Sequence, residues 1–480
     1  MRVIVQLRHS NQLHAATTES VAFEAVATSI SGPVPGLELD HPYASTQIPK
    51  LLPIQPGASP FALAQPLNFS MVPEQSTYVV RGRISDDVDA QRNTLAAAYA
   101  NPNVVGVFAD PVIESCPNCP AGPVGTSKDV AKLLNVAGLS AAGLDGQGVL
   151  LAVVDTGINL AYLATQNCKP KLDAARSWTP AGVPTQPGAH PKNHGSMCAY
   201  DVNIAAPRAT LLDYAVLLSQ TPGATAMSGL LSDAVKAYSV LLNLISGMSG
   251  ASKALVVSNS WGMFSPSWDF PIGNPGNYSD NAAHPFNVIV ASLESAGADI
   301  LFAAGNCGRD CPDGRCQFGT TLPICGANSH PKVLSIAGID THKVRVGYSS
   351  QGPGRLSPRK PDLATYTHFK GSLVYPADAG TSAACPVAAG VVAAIRSKYP
   401  VSKLTPMQLR SLLFKTAEDL GGTGFDYDYG WGALNPKALL SSLKTLKTSK
   451  TASTGNGHAR LTKPGESRKG LHKHHAGMGI

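Results

Sequence analysis

The chain has 480 residues, enough for more than one domain and for a large buried core. Apolar residues make up 44% and charged residues 14%, a globular composition and not a disordered one. Of the formal charge of +7, the stretch from Leu446 to Ile480 carries +6, so the body is close to neutral, which argues against a nucleic-acid-binding enzyme.

That basic tail, residues 446–480, has almost no apolar periodicity and is expected to be disordered, a solvated tail rather than a docking arm. No apolar run reaches membrane-spanning length, so no membrane span is expected. The apolar stretch after Met1 is short and broken at once by Arg2 and Arg8, so no standard export signal is read. A cytoplasmic location is expected, with secretion by a non-standard route as the alternative. Nine Cys is an odd count and does not settle the redox compartment.

In chain order, Val3–Leu7 and Tyr78–Ile84 alternate as strands do. Residues 31–75 between them are Pro-rich and predict irregular structure or an insertion. Asp86 and Asp87 open a predicted helix through Tyr99, with acids where the helix dipole favours them. Val104–Phe108 reads as a closing strand, so residues 1–120 predict a small α+β unit. From about Thr126 to Leu443 strands alternate with helices. Val149–Val154 is a near-continuous apolar run of the kind buried on both faces. A strand over Thr210–Leu217, a helix over Leu230–Ile245 and a strand over Ala254–Ser258 follow. A helix over Val288–Ala296 and strands over Ile300–Ala304 and Val333–Ile339 continue the pattern. The alternation predicts an α/β fold, a parallel sheet with helices on both faces, over residues 121–445.

Three segments each place a polar group at the end of an apolar element. Asp155 ends the run Val149–Val154 and is followed by Thr156-Gly157, which puts an acid in the crevice where parallel sheets bind ligands. His194 sits in Asn193-His194-Gly195-Ser196 after a Pro/Gly-rich loop. Ser382 sits in Gly380-Thr381-Ser382-Ala383-Ala384-Cys385-Pro386 and opens an apolar helix running to Ile395. Taken singly, a turn cap, a structural His and a helix cap explain them.

Together, in the order Asp, His, Ser, the segments resemble the signatures of the subtilisin-like (subtilase, S8-type) serine peptidases. Ala303-Ala304-Gly305-Asn306 resembles the segment that supplies that family's oxyanion Asn, and Ser258-Asn259-Ser260-Trp261-Gly262 resembles its substrate-binding strand. Tyr429–Asn435 resembles its closing motif. The resemblance spans roughly 126–443 and implies a mostly seven-stranded subtilisin-like sheet and a serine endopeptidase. It implies that Ser382 attacks, His194 is the base, Asp155 holds the imidazole, and Asn306 with the Ser382 N–H receives the oxyanion. Ser260, Trp261, Gly262, Ala304 and Gly305 would pair with an extended polypeptide substrate. Residues 1–120 would be a propeptide-like inhibitory or accessory domain, its end lying in the cleft until self-processed near Cys116–Ser127. A peptide ligase or macrocyclase on the same residues, or a catalytically silent peptide-binding scaffold, is the alternative. No cofactor and no metal is implied, and Asp426 and Asp428 are read as a solvated loop.

Two stretches depart from the family pattern. The segment after His194 is short and predicts a clipped helix, and Asp362–Tyr366 stands where the family has an Ala-Pro-Gly turn. Cys307, Cys311, Cys316 and Cys325 crowd the proposed oxyanion segment; disulfides or free thiols are favoured over a structural zinc. Cys116-Pro117-Asn118-Cys119 is read as a bridge or a reduced pair, and Cys198 and Cys385 as core residues. Trp261 is read equally as a cleft wall or a packed core residue.

Overall fold

The structure, a computed structural model, describes residues 1–18, 34–40, 43–51, 69–115, 122–218, 227–317 and 319–452. The chain divides into two units, Met1–Leu439 and Leu440–Ile480.

The first unit opens with an antiparallel sheet. Strand β1 (Arg2–Arg8) pairs with β2 (Thr77–Arg83) on one side and β3 (Val104–Ala109) on the other. Helix α1 (Val88–Ala100) connects β2 to β3, and the Asp87 carboxylate caps it by accepting from Ala90 N. Both faces of this sheet are covered, which explains the consecutive apolar residues Val3, Ile4 and Val5 of β1. Val3, Val5 and Leu7 pack within the N-terminal region, while Ile4, Val79 and Phe108 join the core of the parallel-sheet region.

Strand β4 (Val112–Ser115) follows at once, and then the α/β region begins. Its elements are β5 (Leu150–Val154), β6 (Lys171–Leu172), α2 (His194–Ala205), β7 (Thr210–Tyr214), β8 (Ser228–Leu230), α3 (Leu231–Ser246), β9 (Leu255–Asn259) and β10 (Trp261–Gly262). After them come α4 (Pro285–Ser295), β11 (Asp299–Ala303), β12 (Leu334–Ile339), β13 (Leu363–Tyr366), α5 (Thr381–Arg396) and α6 (Pro406–Thr416). Seven strands form one parallel sheet in the order β6-β7-β5-β9-β11-β12-β13. Every residue of β5, β9, β11, β12 and β13 is buried, as expected of strands with helices on both faces. Each fully buried Val, Leu or Ile there contributes about 1.5–3 kcal/mol.

One expectation is corrected here: the helix after His194 is not clipped, and α2 runs 12 residues. Within the departing segment Asp362–Tyr366, Leu363–Tyr366 form the edge strand β13, paired with β12.

Helix α5 is buried along its whole length and packs on α2 and against β9, β11 and β12. Gly390 permits this closeness, since a Cβ there would stand 2.5 Å from the Val202 carbonyl oxygen of α2. At its far end the Arg396 guanidinium forks onto Asp299 with contacts of 2.5 and 2.7 Å, so the one buried cation of this helix is matched.

A second, small sheet lies outside the parallel one. Strand β4 runs antiparallel between β8 and β10. Its register sets Val112 against Leu230, Ile113 against Gly229, Glu114 against both Ser228 and Gly262, and Ser115 against Trp261. The end of the N-terminal region thus fills a slot between two strands of the α/β region. Neighbouring contacts fasten it: Asp110 accepts from Ser232 N and Ser232 Oγ at 2.8 Å each, and Arg81 meets Asp233 at 2.7 Å, both at the start of α3.

The helix over Pro436–Ala452 enters the second unit, so the stretch expected to be tail from Leu446 begins as helix. Residues 453–480, Cys116–Cys119 and about half of the Pro-rich insertion lie outside the described residues. No helix among the described residues is long and apolar enough to cross a membrane.

Candidate active site

The parallel sheet reverses its direction of growth at β5, with β7 added on one side and β9 on the other. Groups at the carboxyl ends of β5 and β9 therefore face one crevice. Asp155 leaves β5 there and is 1% exposed. Helix α2 starts opposite, and its first residue, His194, gives Nδ1 to the Asp155 carboxylate at 2.8 and 2.9 Å. The flanking residues explain the local sequence. Thr156 Oγ1 accepts Gly195 N at 2.8 Å, so the residue after the acid holds the first turn of the histidine helix. A Cβ on Gly195 would stand 2.5 Å from Gly157 O, so only glycine lets the two segments meet. Asn193 Oδ1 accepts His194 N at 2.9 Å and Tyr375 OH at 2.8 Å, which fixes the histidine backbone from outside.

Ser382 lies in the first turn of α5 and is buried. Four residues on, Pro386 has no N–H to give, so the Ser382 carbonyl loses its helical partner. Two side chains take up that oxygen: Ser260 Oγ donates to it at 2.9 Å and the Cys198 thiol approaches it at 3.7 Å. Cys198 stands four residues after His194 on α2, on the same helix face. Its sulfur lies 3.5 Å from Asp155 Oδ2 and 3.8 Å from His194 Nδ1. Burial, with the Asp155 charge behind it, pushes this thiol well above the ordinary range, so it is protonated at neutral pH.

The expected relay of Asp155, His194 and Ser382 is corrected by this geometry. The cluster that closes is Asp155, His194 and Cys198, whose ligand-type atoms all lie within 4.8 Å of one another. Ser382 Oγ is turned to the Ser260 carbonyl at 3.4 Å, and His194 Nε2 has no hydrogen-bond partner among the described residues. The expectation of a serine endopeptidase working through that relay falls with it, as do the self-processing step and the ligase alternative attached to it. The physical reason is where α5 begins: its first turn sets the Ser382 hydroxyl toward the Ser260 carbonyl, just past the end of β9. Cys198 is buried as expected of a core residue, and its contact with the acid–imidazole pair is what the sequence reading missed. The signal was its spacing of four from His194 at a helix start.

Asn306 is buried, and its Oδ1 accepts Thr381 N and Thr381 Oγ1 at 2.9 Å each. This fixes the amide with its NH2 as the donating end, beside Ser382. The N–H groups of Ala304 and Gly305 are spent on Ile336 O and Thr381 Oγ1, so these two residues brace the Asn306 loop. Trp261 is a packed core residue by its side chain. Its indole is fully buried against Phe286 and Phe302, while its backbone pairs with Ser115 of β4. Asn328 was not foreseen: its Nδ2 donates to Trp261 O at 2.8 Å and Ala303 O at 2.9 Å, tying the cleft strand to the end of β11.

The cysteine-rich loop also resolves. Cys307 is bonded to Cys316, Cys311 is disulfide-bonded as well, and Cys325 is a free buried thiol. A disulfide and a free thiol are the states favoured from the sequence, and Cys325 lies in a different apolar cluster from Cys307 and Cys316. Asp426 accepts Asp428 N and Tyr429 N, closing a turn, and Asp428 pairs with Arg345 at 3.2 Å.

The crevice at the carboxyl end of β5, with an acid–imidazole pair and a flanking peptide slot, defines the architecture of a hydrolase built on a parallel sheet. A model of the subtilase family matches residues 146–432, and the chain belongs to that family. Similar proteins include Subtilisin E of Bacillus subtilis (strain 168), 26% identical over 302 residues, which span 62% of this chain and 68% of that protein. Subtilisin DY of Bacillus licheniformis is 32% identical over 144 residues, 30% of this chain and 47% of the relative. Fervidolysin of Fervidobacterium pennivorans is 25% identical over 314 residues, 62% of this chain and 41% of the relative.

Proposed function

We propose that the chain is a peptidase of the subtilase family that takes an extended peptide between β8 and β10 and uses Asp155 and His194 as its acid–base pair, with Cys198 as the third member of the buried cluster. The observation that carries this reading is β4 itself: a strand of the chain lies in the slot, paired through main chain on both edges. Main-chain pairing accepts many sequences, which suits a protein substrate.

His194 Nδ1 is held by Asp155, so the imidazole tautomer is set and Nε2 is left to exchange protons. It takes the proton of the attacking group as the new bond to the carbonyl carbon forms. It returns that proton to the departing amine as the C–N bond breaks. Asn306 and the Ser382 N–H are proposed as the donors that receive the negative oxygen of the tetrahedral intermediate. Ser260, Trp261 and Gly262 are proposed to hold the substrate strand, and residues 1–120 to act as an inhibitory or accessory domain whose β4 occupies that place.

The test is hydrolysis of a mixed library of quenched fluorescent peptides by wild type and by His194→Ala. Product from wild type and none from the variant is expected; no product from either sinks the reading. Mapping the acylated residue in a trapped intermediate names the attacking atom. A label on Cys198 makes the closed cluster a thiol relay, and a label elsewhere limits Cys198 to holding Asp155 and the Ser382 carbonyl.

A further inference from the structure

The loop after Asn306 reaches the peptide slot from the side. Its base is drawn together by the Cys307–Cys316 disulfide and by Asp313 N donating to Asn306 O at 3.0 Å. Its rim is pinned beyond β10, where Gln317 N donates to Phe264 O at 3.1 Å. Arg315 sits at that rim. Its guanidinium lies over the Phe264 ring at 5.3 Å, and Asp313 Oδ1 accepts its backbone N–H at 2.8 Å. From this shelf Nη1 donates to Glu114 Oε2 at 2.5 Å. Glu114 is the one carboxylate of β4, at the position opposite both Ser228 and Gly262. The neighbouring Ile113 turns the other way and is fully buried in the core.

We infer that Arg315 is a specificity-determining residue, which selects an acidic side chain at the slot position that Glu114 occupies. The inference rests on the peptidase reading above, and it adds a preference that main-chain pairing alone does not supply. The arginine is positioned before any peptide arrives: the ring beneath it, the disulfide beside it and Asp313 behind it all belong to the α/β region. A guanidinium held in this way loses little freedom on meeting a carboxylate. A lysine at the same position of a substrate would face a like charge at a partly desolvated site. The preceding side chain, Ile113, is buried among apolar residues and meets no such charge, so the preference should follow the register that sets Glu114 against Arg315.

Two measurements on the full chain test this. In the first, hydrogen exchange of the amides of residues 112–115 is followed in wild type, Glu114→Lys, Arg315→Glu and the double variant. Each single change should speed exchange about tenfold, and the double swap should restore it to within about threefold of wild type. Absence of rescue overturns the inference. In the second, quenched peptides carrying Glu, Gln or Lys moved one residue at a time are offered to wild type and Arg315→Ala, with cuts located by mass. A single register at which Glu exceeds Lys about tenfold in kcat/KM, levelled in Arg315→Ala while the Gln peptide is still cut, supports it. Equal cleavage of Glu and Lys peptides by wild type overturns it. Rescue in the first measurement with no peptide cut in the second leaves an acid-selective slot and removes the peptidase reading.

Discussion

The molecule carries two sheets that meet at the site and are built on different physics. The seven-stranded parallel sheet is held by side chains: five of its strands are wholly buried, and helices cover both faces. The three-stranded cleft sheet is held by main chain. Two of its members span only Ser228–Leu230 and Trp261–Gly262, and the strand between them comes from the N-terminal region. The first sheet fixes where Asp155 and Ser260 emerge. On the proposed reading, the second offers a place that a different peptide with the same backbone would take. A rigid scaffold next to such a strand would let one cleft accept many sequences without moving its acid–base pair.

Four tests, using five substitutions, break or sharpen that contrast. The largest effect is expected at the scaffold's own functional end. Asp155→Asn keeps the shape and loses the charge that holds the imidazole tautomer, so kcat/KM on peptides should fall about 10³–10⁴-fold while the thermal midpoint stays within a few degrees. A loss below tenfold would mean His194 does not depend on its partner. Next is Asn306→Ala. Removing one such donor from an enzyme of this kind costs about 10²–10³ in kcat, and the loss here should fall in kcat with KM little changed. A change confined to KM would place Asn306 in peptide binding instead.

The third pair sets the two sheets against each other. Val153→Ala deletes buried volume from β5 and Ile113→Ala deletes it from β4, and both residues are buried. Truncations of this type cost about 2–5 kcal/mol at a site that cannot collapse. Val153→Ala should lower the global melting point. Ile113→Ala should mainly loosen β4, seen as faster amide exchange over residues 112–115. If both variants lower the melting point equally and β4 exchange is unchanged, the cleft sheet is as integral as the parallel one.

The smallest effect is a pH dependence inside the parallel sheet. Asp213 of β7 is buried, and burial raises its carboxyl to about 7 even though Gly188 N and Ile158 N donate to it. His190 faces it at 3.7 Å and is itself pushed down by burial. Because the folded pKa lies above the ordinary carboxylate value, the stability from this proton is full below about pH 4 and is lost as pH rises through about 7. Buried His284, lowered to about 4, acts in the opposite sense and loses stability as pH falls below the ordinary histidine range. Asp213→Asn keeps an acceptor for the two N–H groups, so its advantage over wild type should grow by a few degrees in melting point between pH 5 and pH 8. A constant difference across that range would show that Asp213 is ionised throughout.

How much was legible follows the same divide. Runs such as Val149–Val154 and Val333–Ile339 announce buried parallel strands because burial on both faces forces near-continuous apolar sequence. The Asp-Thr-Gly, His-Gly and Gly-Thr-Ser segments announce the crevice because Thr156, Gly195 and Gly380 answer local backbone needs that any close meeting of these elements imposes. The N-terminal strands were found, but not that both faces of β1 are covered, since alternation cannot say what the second face meets. Strands β8 and β10 were beyond reach as a pair. Two or three residues carry no periodicity, and their pairing with β4 depends on segments more than a hundred residues apart.

By itself, then, the sequence determined the fold class, the order of the elements and which residues stand at the carboxyl ends of the central strands, because hydrophobic period and local turn chemistry are properties of short segments. Only the tertiary structure decided which of those residues touch. Whether His194 meets a thiol or a hydroxyl depends on how α2 and α5 pack and on a carbonyl that Pro386 leaves without its helical partner. Whether Arg315 reaches Glu114 depends on a loop and a strand brought together across 201 residues of chain. Contacts at that range are set by the packing of whole elements, and no window of the sequence contains them.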